Sequence, residues 1–245
     1  MVKNRAGREM ESFQAAEGVR YGVLTRFAKG KSYIDMSDAQ LDVLGYEIAF
    51  NHNITANLRL HNERGVYDLE TTVHRPLQTL SVAYADYPED YAQLKETAAE
   101  VLEKLQAFDL DNFSYGYCHF DYFPKNFFFD EHNNLTLFDF DFAGKGYLVY
   151  DLVTLYCHYT FHVAHQKITK EEGQRCMDRL IASYRKLRPL TEQEVAALPY
   201  LNFTFMLFFL EYHYLHFDDW SNTFFGERHL KGFAKHMRDQ LTILA

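Results

Sequence analysis

Residues 117–126, Tyr-Cys-His-Phe-Asp-Tyr-Phe-Pro-Lys-Asn, set a histidine, an aspartate and an asparagine inside an aromatic run. Phe138-Asp-Phe-Asp-Phe-Ala-Gly144 and Tyr150-Asp-Leu152 follow shortly after. Four aspartates, Asp121, Asp139, Asp141 and Asp151, therefore lie among residues that read as core. Carboxylates in apolar surroundings are costly unless they are hydrogen-bonded or hold a ligand. Whatever this chain folds into, it must build a polar site here.

The local pattern suggests the form of that site. Phe127–Phe129 and Leu135–Phe138 read as short strands joined by the turn-rich Asp130-Glu-His-Asn-Asn134. Paired as a hairpin, they bring Asn126 and Asp139 together at the open end. An amide oxygen beside a carboxylate suits Mg²⁺, which fills its remaining positions with water and phosphate oxygens. That is a site for a metal–nucleotide complex rather than for zinc. Asp121, in the loop leading to the hairpin, stands where it can orient a hydroxyl and accept its proton.

Around this window the chain reads as mostly helical. Ser37 with Gln40 forms a capping box, and Leu41, Leu44, Gly45 and Ile48 share a face, predicting a helix to about His52. Tyr91 to Phe108 is amphipathic, with Leu94, Ala98, Val101, Leu102 and Leu105 inward. Asp151 to His165 is apolar at helical spacing, and Thr169 with Glu172 and Thr191 with Glu194 start two more helices. Tyr200 to Phe217 reads as a buried helix, its run broken by Asn202, Glu211, His213 and His216, and Glu227 to Leu244 as a closing amphipathic one. Met10–Phe13 and Tyr21–Phe27 read as strands, and residues 53–90 as loop with short helices.

Composition narrows the partners. With 25 Lys and Arg against 34 Asp and Glu, the formal charge of −9 argues against a broad nucleic-acid footprint or an anionic membrane surface. Three cysteines without CxxC spacing indicate neither a disulfide framework nor a zinc ribbon, and the N-terminus carries no apolar run of the signal-peptide kind. A folded cytoplasmic protein with a small-molecule partner is the expectation, its oligomeric state open.

His119-x-Asp121-x-x-x-x-Asn126, then Asp139, Gly144 and Tyr150-Asp151-Leu152, resembles the catalytic segment of the aminoglycoside phosphotransferase and choline kinase family, which includes sugar, homoserine and amino-alcohol kinases. Five polar residues agree in type, order and spacing. The resemblance implies an α+β, protein-kinase-like fold, here predominantly the helical C-terminal lobe with a small catalytic β-hairpin. It implies ATP and Mg as cofactors and transfer of a phosphoryl group to a hydroxyl of a small molecule. Asp121 is then the base, Asn126 and Asp139 the metal ligands, His119 a structural residue of the catalytic loop, and Asp151 a helix-start carboxylate bracing it. Tyr21 to Gly30 resembles the end of the N-terminal lobe and the hinge, with the nucleotide base near Thr25, Arg26, Phe27 and Ala28. Residues 1–30 would then be a remnant of the N-terminal β lobe with the hinge, and residues 31–245 the catalytic and substrate lobe.

Two departures stand out. About twenty residues precede the hinge, without the family's glycine-rich loop or strand lysine. The family's small residue after the histidine is Phe120, which is expected to crowd the loop. A second class of function is therefore a pseudokinase-like binding module.

Other patterns are less specific. Asp139-Phe-Asp141 matches the DxD of metal-dependent glycosyltransferases, but the residues before it read helical rather than α/β. His158, His162 and His165 fall at i, i+4, i+7, as a zinc pair, a polar stripe on a substrate cleft or ordinary core histidines do. Glu211, His213, Asp218 and Trp220, with His158 and His162, are candidate acceptor-binding residues, because family members bind acceptors late in the helical lobe.

Overall fold

The computed structural model describes residues 1–16, 18–216 and 226–244. Strands β1 (Met10–Ala15) and β2 (Gly18–Val23) form an antiparallel hairpin, Met10 facing Val23. The second strand ends sooner than its composition suggests. Residues 24–28 carry no regular structure, and the chain reaches the main body through a bridge in which Lys31 and Phe129 exchange backbone hydrogen bonds at 3.1 and 3.0 Å. Gly30, at φ 95°, is required there, since a Cβ would lie 2.0 Å from the Phe129 carbonyl oxygen.

Helix α1 (Asp38–Thr55) opens with the expected Ser37–Gln40 capping box and buries Leu41, Leu44, Ile48 and His52. Its partner is α5 (Lys170–Arg185), capped by Thr169. The two backbones come so close at Gly45 that a Cβ would stand 2.4 Å from the Leu180 carbonyl oxygen. Arg175 and Arg179 tie the outer edge of this contact to Asp38 and Asp42.

The stretch expected to be loop with short helices holds two of them, a π-helical turn (Glu70–His74) and α2 (Arg75–Ala83), and in addition a short strand, β3 (Val66–Tyr67); α3 (Pro88–Gln106) follows. Three further elements frame the polar window. These are β4 (Tyr115–Cys118), the hairpin β5 (Phe127–Phe129) and β6 (Leu135–Leu137), and β7 (Gly144–Tyr147). A sheet that local spacing does not announce joins β3, β7 and β4 in the order β3-β7-β4, β3 parallel and β4 antiparallel to β7, while β5 and β6 pair only with each other.

Helix α4 (Tyr150–Ala164) follows at once and is buried almost all round, packing on α7 (Leu198–Leu215). In the chain, α5 and the short α6 (Glu192–Ala196), whose Thr191–Glu194 box is present, come between these two helices. A single closing helix does not form. Gly232, at φ 76°, separates α8 (Glu227–Leu230) from α9 (Phe233–Asp239), and α9 rests on α3. Among the described residues no helix is long and apolar enough to cross a membrane.

Candidate active site

Asp151, in the first turn of α4, organises the loop after β4. Its Oδ2 accepts the His119 N–H at 3.1 Å and its Oδ1 the Phe120 N–H at 2.8 Å, while the His52 ring lies with Nε2 2.9 Å from Oδ2. His52 in turn meets the Tyr184 hydroxyl at 2.8 Å through Nδ1. A buried carboxylate is sustained by three donors, so the loop's backbone is fixed from α1, α4 and α5 together.

His119 bridges this loop to the β5–β6 hairpin. Its Nε2 donates to the Phe138 carbonyl at 3.0 Å and its Nδ1 accepts the Asp121 N–H at 3.3 Å, which puts the ring hydrogen on Nε2. Phe138 also donates its N–H to the Asn126 carbonyl at 3.0 Å, one step beyond the Phe127–Leu137 pair. The hairpin's open end thus carries Asn126 on one side and Asp139 just past the other. Asp139 is exposed and adopts φ 63°, a left-handed conformation that Asp tolerates better than most residues.

Asn126 donates from Nδ2 to the Asp121 main-chain oxygen at 2.9 Å and to Asp121 Oδ2 at 2.7 Å. Both amide hydrogens are used, so the amide oxygen is the atom turned away from Asp121. Burial pushes the Asp121 carboxyl up from its ordinary value, opposed by the Lys125 ammonium at 3.3 Å from Oδ2 and by the Asn126 hydrogen bond. A buried carboxylate held in place by donors is chemically able to accept a proton from a hydroxyl.

Two cavities flank this arrangement. One, of about 720 Å³, is lined by Thr25, Arg26, Phe27 and Ala28 together with Phe138, Asp139 and Asp141. The other, of about 500 Å³, is lined by Asp121, Lys125, a set of aromatic side chains and His213, His229 and His236. Arg64 pins the loop beyond Asp139, donating to the carbonyls of Phe140, Asp141 and Ala143 at 2.6–2.8 Å.

The sequence profile of the phosphotransferase enzyme family matches residues 15–197. The chain belongs to the phosphotransferase enzyme family. A homoserine kinase of Rhodospirillum rubrum is 34% identical over 175 residues, 67% of this chain and 50% of that protein. The chain spans about half the length of the curated relatives it matches. Among solved structures, an amicoumacin kinase in complex with AMP-PNP, Ca²⁺ and Ami superposes with a TM-score of 0.71 at 19% identity, over 98% of this chain and 71% of that one. A microcompartment-associated aminopropanol kinase gives 0.69 at 20% identity, over 99% and 72%. The fold is the family's α+β, protein-kinase-like one.

Within this family fold, Thr25–Ala28 share a cavity with Asp139, and Asp121 shares the other with His213. His158 and His162 do not line Asp121's cavity. Cys157 and Phe161 line it from α4, while the two histidines lie against each other, ring centroids 4.2 Å apart and planes tilted by 42°. Glu211 is 2% exposed and engaged by Arg75 at 3.0 Å and by the Thr79 hydroxyl at 2.7 Å, and it lines neither cavity. Asp218 and Trp220 lie outside the described residues. Among the described residues no cluster of three or more His, Cys, Asp and Glu side chains is placed to hold a metal ion.

Phe120 does not crowd the loop. Its ring is fully buried and stacks on Tyr67, with Tyr150, Phe205 and Phe208 around it. Sequence reasoning also gave no role to Lys125, Arg64 or Tyr184. His52 carried a signal, falling one turn after Ile48 on the buried face of α1, where a polar side chain needs a partner.

Proposed function

We propose that this chain carries the proton-accepting and metal-holding part of an ATP-dependent phosphotransferase acting on a hydroxyl of a small molecule. Asp121 is the base, Asn126 and Asp139 hold Mg²⁺, and Thr25 to Ala28 receive the nucleotide base. The observation that carries this reading is the pair of cavities at one hairpin end: Asp139 and residues 25–28 line one, Asp121 lines the other, and Asn126 is hydrogen-bonded to Asp121.

The donors suit the metal. The Asn126 amide oxygen and the Asp139 carboxylate are hard oxygen ligands, few in number, as Mg²⁺ with phosphate and water partners requires. When bound, the ion supplies charge neutralisation of the phosphates. The protein's own work is positional. Asp121 holds the acceptor hydroxyl and takes its proton, while His119 and Asp151 keep the loop in register with the hairpin. The relatives' names, homoserine kinase and aminopropanol kinase, support an amino-alcohol or amino-acid alcohol as acceptor. Its three cysteines, two of them buried, fit a reducing cytoplasmic setting.

Transfer of labelled phosphate from Mg·ATP to homoserine, aminopropanol or choline tests the reading. Asp121→Asn should keep Mg·ATP binding and lose about 10²–10⁴-fold in turnover. Unchanged turnover in that variant overturns the assignment of the base.

A further inference from the structure

Lys125 lies between Pro124 and the proposed metal ligand Asn126, in a turn held on all sides. The Pro124 carbonyl accepts from the Ser32 hydroxyl at 2.6 Å, the Asn126 N–H donates to the Phe123 carbonyl at 2.8 Å, and the Asn126 side chain is tied to Asp121. The backbone is fixed, whereas the side chain is 66% exposed. Its ammonium rests 3.3 Å from Asp121 Oδ2, at the cavity that Asp121 lines. Among the described residues, Lys125 is the one Lys or Arg lining that cavity.

Neither stability nor basicity accounts for a lysine there. An ion pair with one exposed partner contributes about 1 kcal/mol or less. A cation beside a carboxylate favours the charged form, which makes Asp121 a weaker base rather than a stronger one. What the position does offer is a mobile positive charge beside the base. In phosphoryl transfer, negative charge is spread over the oxygens of the migrating group and must be met by preorganised cations.

We propose that Lys125 is a further catalytic residue, whose ammonium moves from Asp121 Oδ2 onto the oxygens of the phosphoryl group in transit. The inference rests on the phosphotransferase reading above. In the step, the acceptor oxygen forms a bond to the γ-phosphorus of ATP while the bond from that phosphorus to the β–γ bridging oxygen breaks. The hydroxyl proton passes to Asp121, ADP leaves with the electron pair of the broken bond, and Lys125 keeps its protons throughout. As the pair with Lys125 dissolves, Asp121 is released to accept the hydroxyl proton.

Calorimetric titration of the full chain with Mg·ADP, with and without aluminium fluoride as the mimic of the group in transit, tests this. Wild type should bind Mg·ADP and bind it at least tenfold more tightly with aluminium fluoride. Lys125→Met should keep the Mg·ADP affinity within about twofold and lose most of that tightening, and Lys125→Arg should retain most of it. Thermal melts of both variants, expected within a few degrees of wild type, show whether each is folded. A wild type that binds Mg·ADP but gains nothing from aluminium fluoride, or a Lys125→Met chain that gains as much as wild type, overturns the role of Lys125 alone. A wild type that binds no Mg·ADP overturns the phosphotransferase reading beneath it.

Discussion

Phe120 stacks on Tyr67 with 3.5 Å between ring centroids and 3° between ring planes, while its own backbone stands at φ 63°. A bulky residue in the left-handed region is disfavoured by roughly 1–2 kcal/mol. Here it is held from two directions, by the aromatic nest on its ring and by Asp151 on its N–H. Two substitutions separate these effects. Phe120→Ala empties the nest and keeps the strained backbone, costing about 3–5 kcal/mol. Phe120→Gly empties the same nest and relieves the strain, so it should be the more stable of the two by about 1 kcal/mol in urea unfolding. A glycine variant less stable than the alanine one would show that the backbone at this position is not strained.

The parts of this fold that were legible in the sequence are those fixed by neighbours a few residues away. The Ser37–Gln40 and Thr191–Glu194 boxes, the amphipathic α3 and the β5–β6 hairpin all follow from local spacing. The β3-β7-β4 sheet was not legible, because Val66–Tyr67 is two residues long, Gly144–Tyr147 contains two glycines, and the pairing spans almost eighty residues. The same holds within the site. Asp121, Asn126 and Asp139 announce themselves by spacing, whereas Arg64 acquires its part only when the loop beyond Asp139 folds against it. Glu211 illustrates the converse. A carboxylate late in the helical lobe looked free for an amine, and the fold gives it to Arg75 and Thr79.

Asp151→Asn should be costly out of proportion to its size. The carboxylate accepts from His119 N–H, Phe120 N–H and the His52 ring, and it is 2% exposed. An amide offers one acceptor oxygen and turns an NH₂ toward donors, leaving at least one buried N–H unpaired. A loss of roughly 2–4 kcal/mol is expected in denaturant unfolding, with the loop around His119 exchanging its amide hydrogens faster. A variant within 0.5 kcal/mol of wild type would mean that water replaces the lost acceptor.

Arg64→Ala should act on the loop rather than on the fold. The guanidinium is exposed, and its three carbonyl acceptors all belong to residues 140–143, immediately after Asp139. Tyr67 contributes one further bond, from its hydroxyl to the Phe142 carbonyl at 2.5 Å. Global stability should fall by about 1 kcal/mol or less, and if Asp139 holds the metal as proposed, any thermal shift given by Mg·ATP should shrink because Asp139 is held less firmly. Arg64→Lys should behave like the alanine variant, since one ammonium cannot reproduce the fork. An undiminished shift in both variants would remove Arg64 from the site.

His158 should make the protein acid-sensitive. The residue is 8% exposed, its Nε2 has no hydrogen-bond partner, and burial, reinforced by the neighbouring His162, lowers its pKa to about 4. A hydrogen bond with the Ile34 backbone and the charge of Asp35 oppose that shift, and Lys167 adds to it. In the unfolded chain the ring titrates near 6.5, so between about 6.5 and 4 the unfolded state binds the extra proton. The contribution is therefore complete above about pH 6.5, is lost progressively as the pH falls toward 4, and changes no further below that. Its size is on the order of 3 kcal/mol. His158→Leu, which cannot titrate, should flatten the fall of the urea midpoint between pH 7 and 4. The difference between the two curves isolates this residue from the carboxylates that titrate in the same range. Parallel curves would mean that His158 takes up its proton as readily in the folded protein as in the unfolded chain.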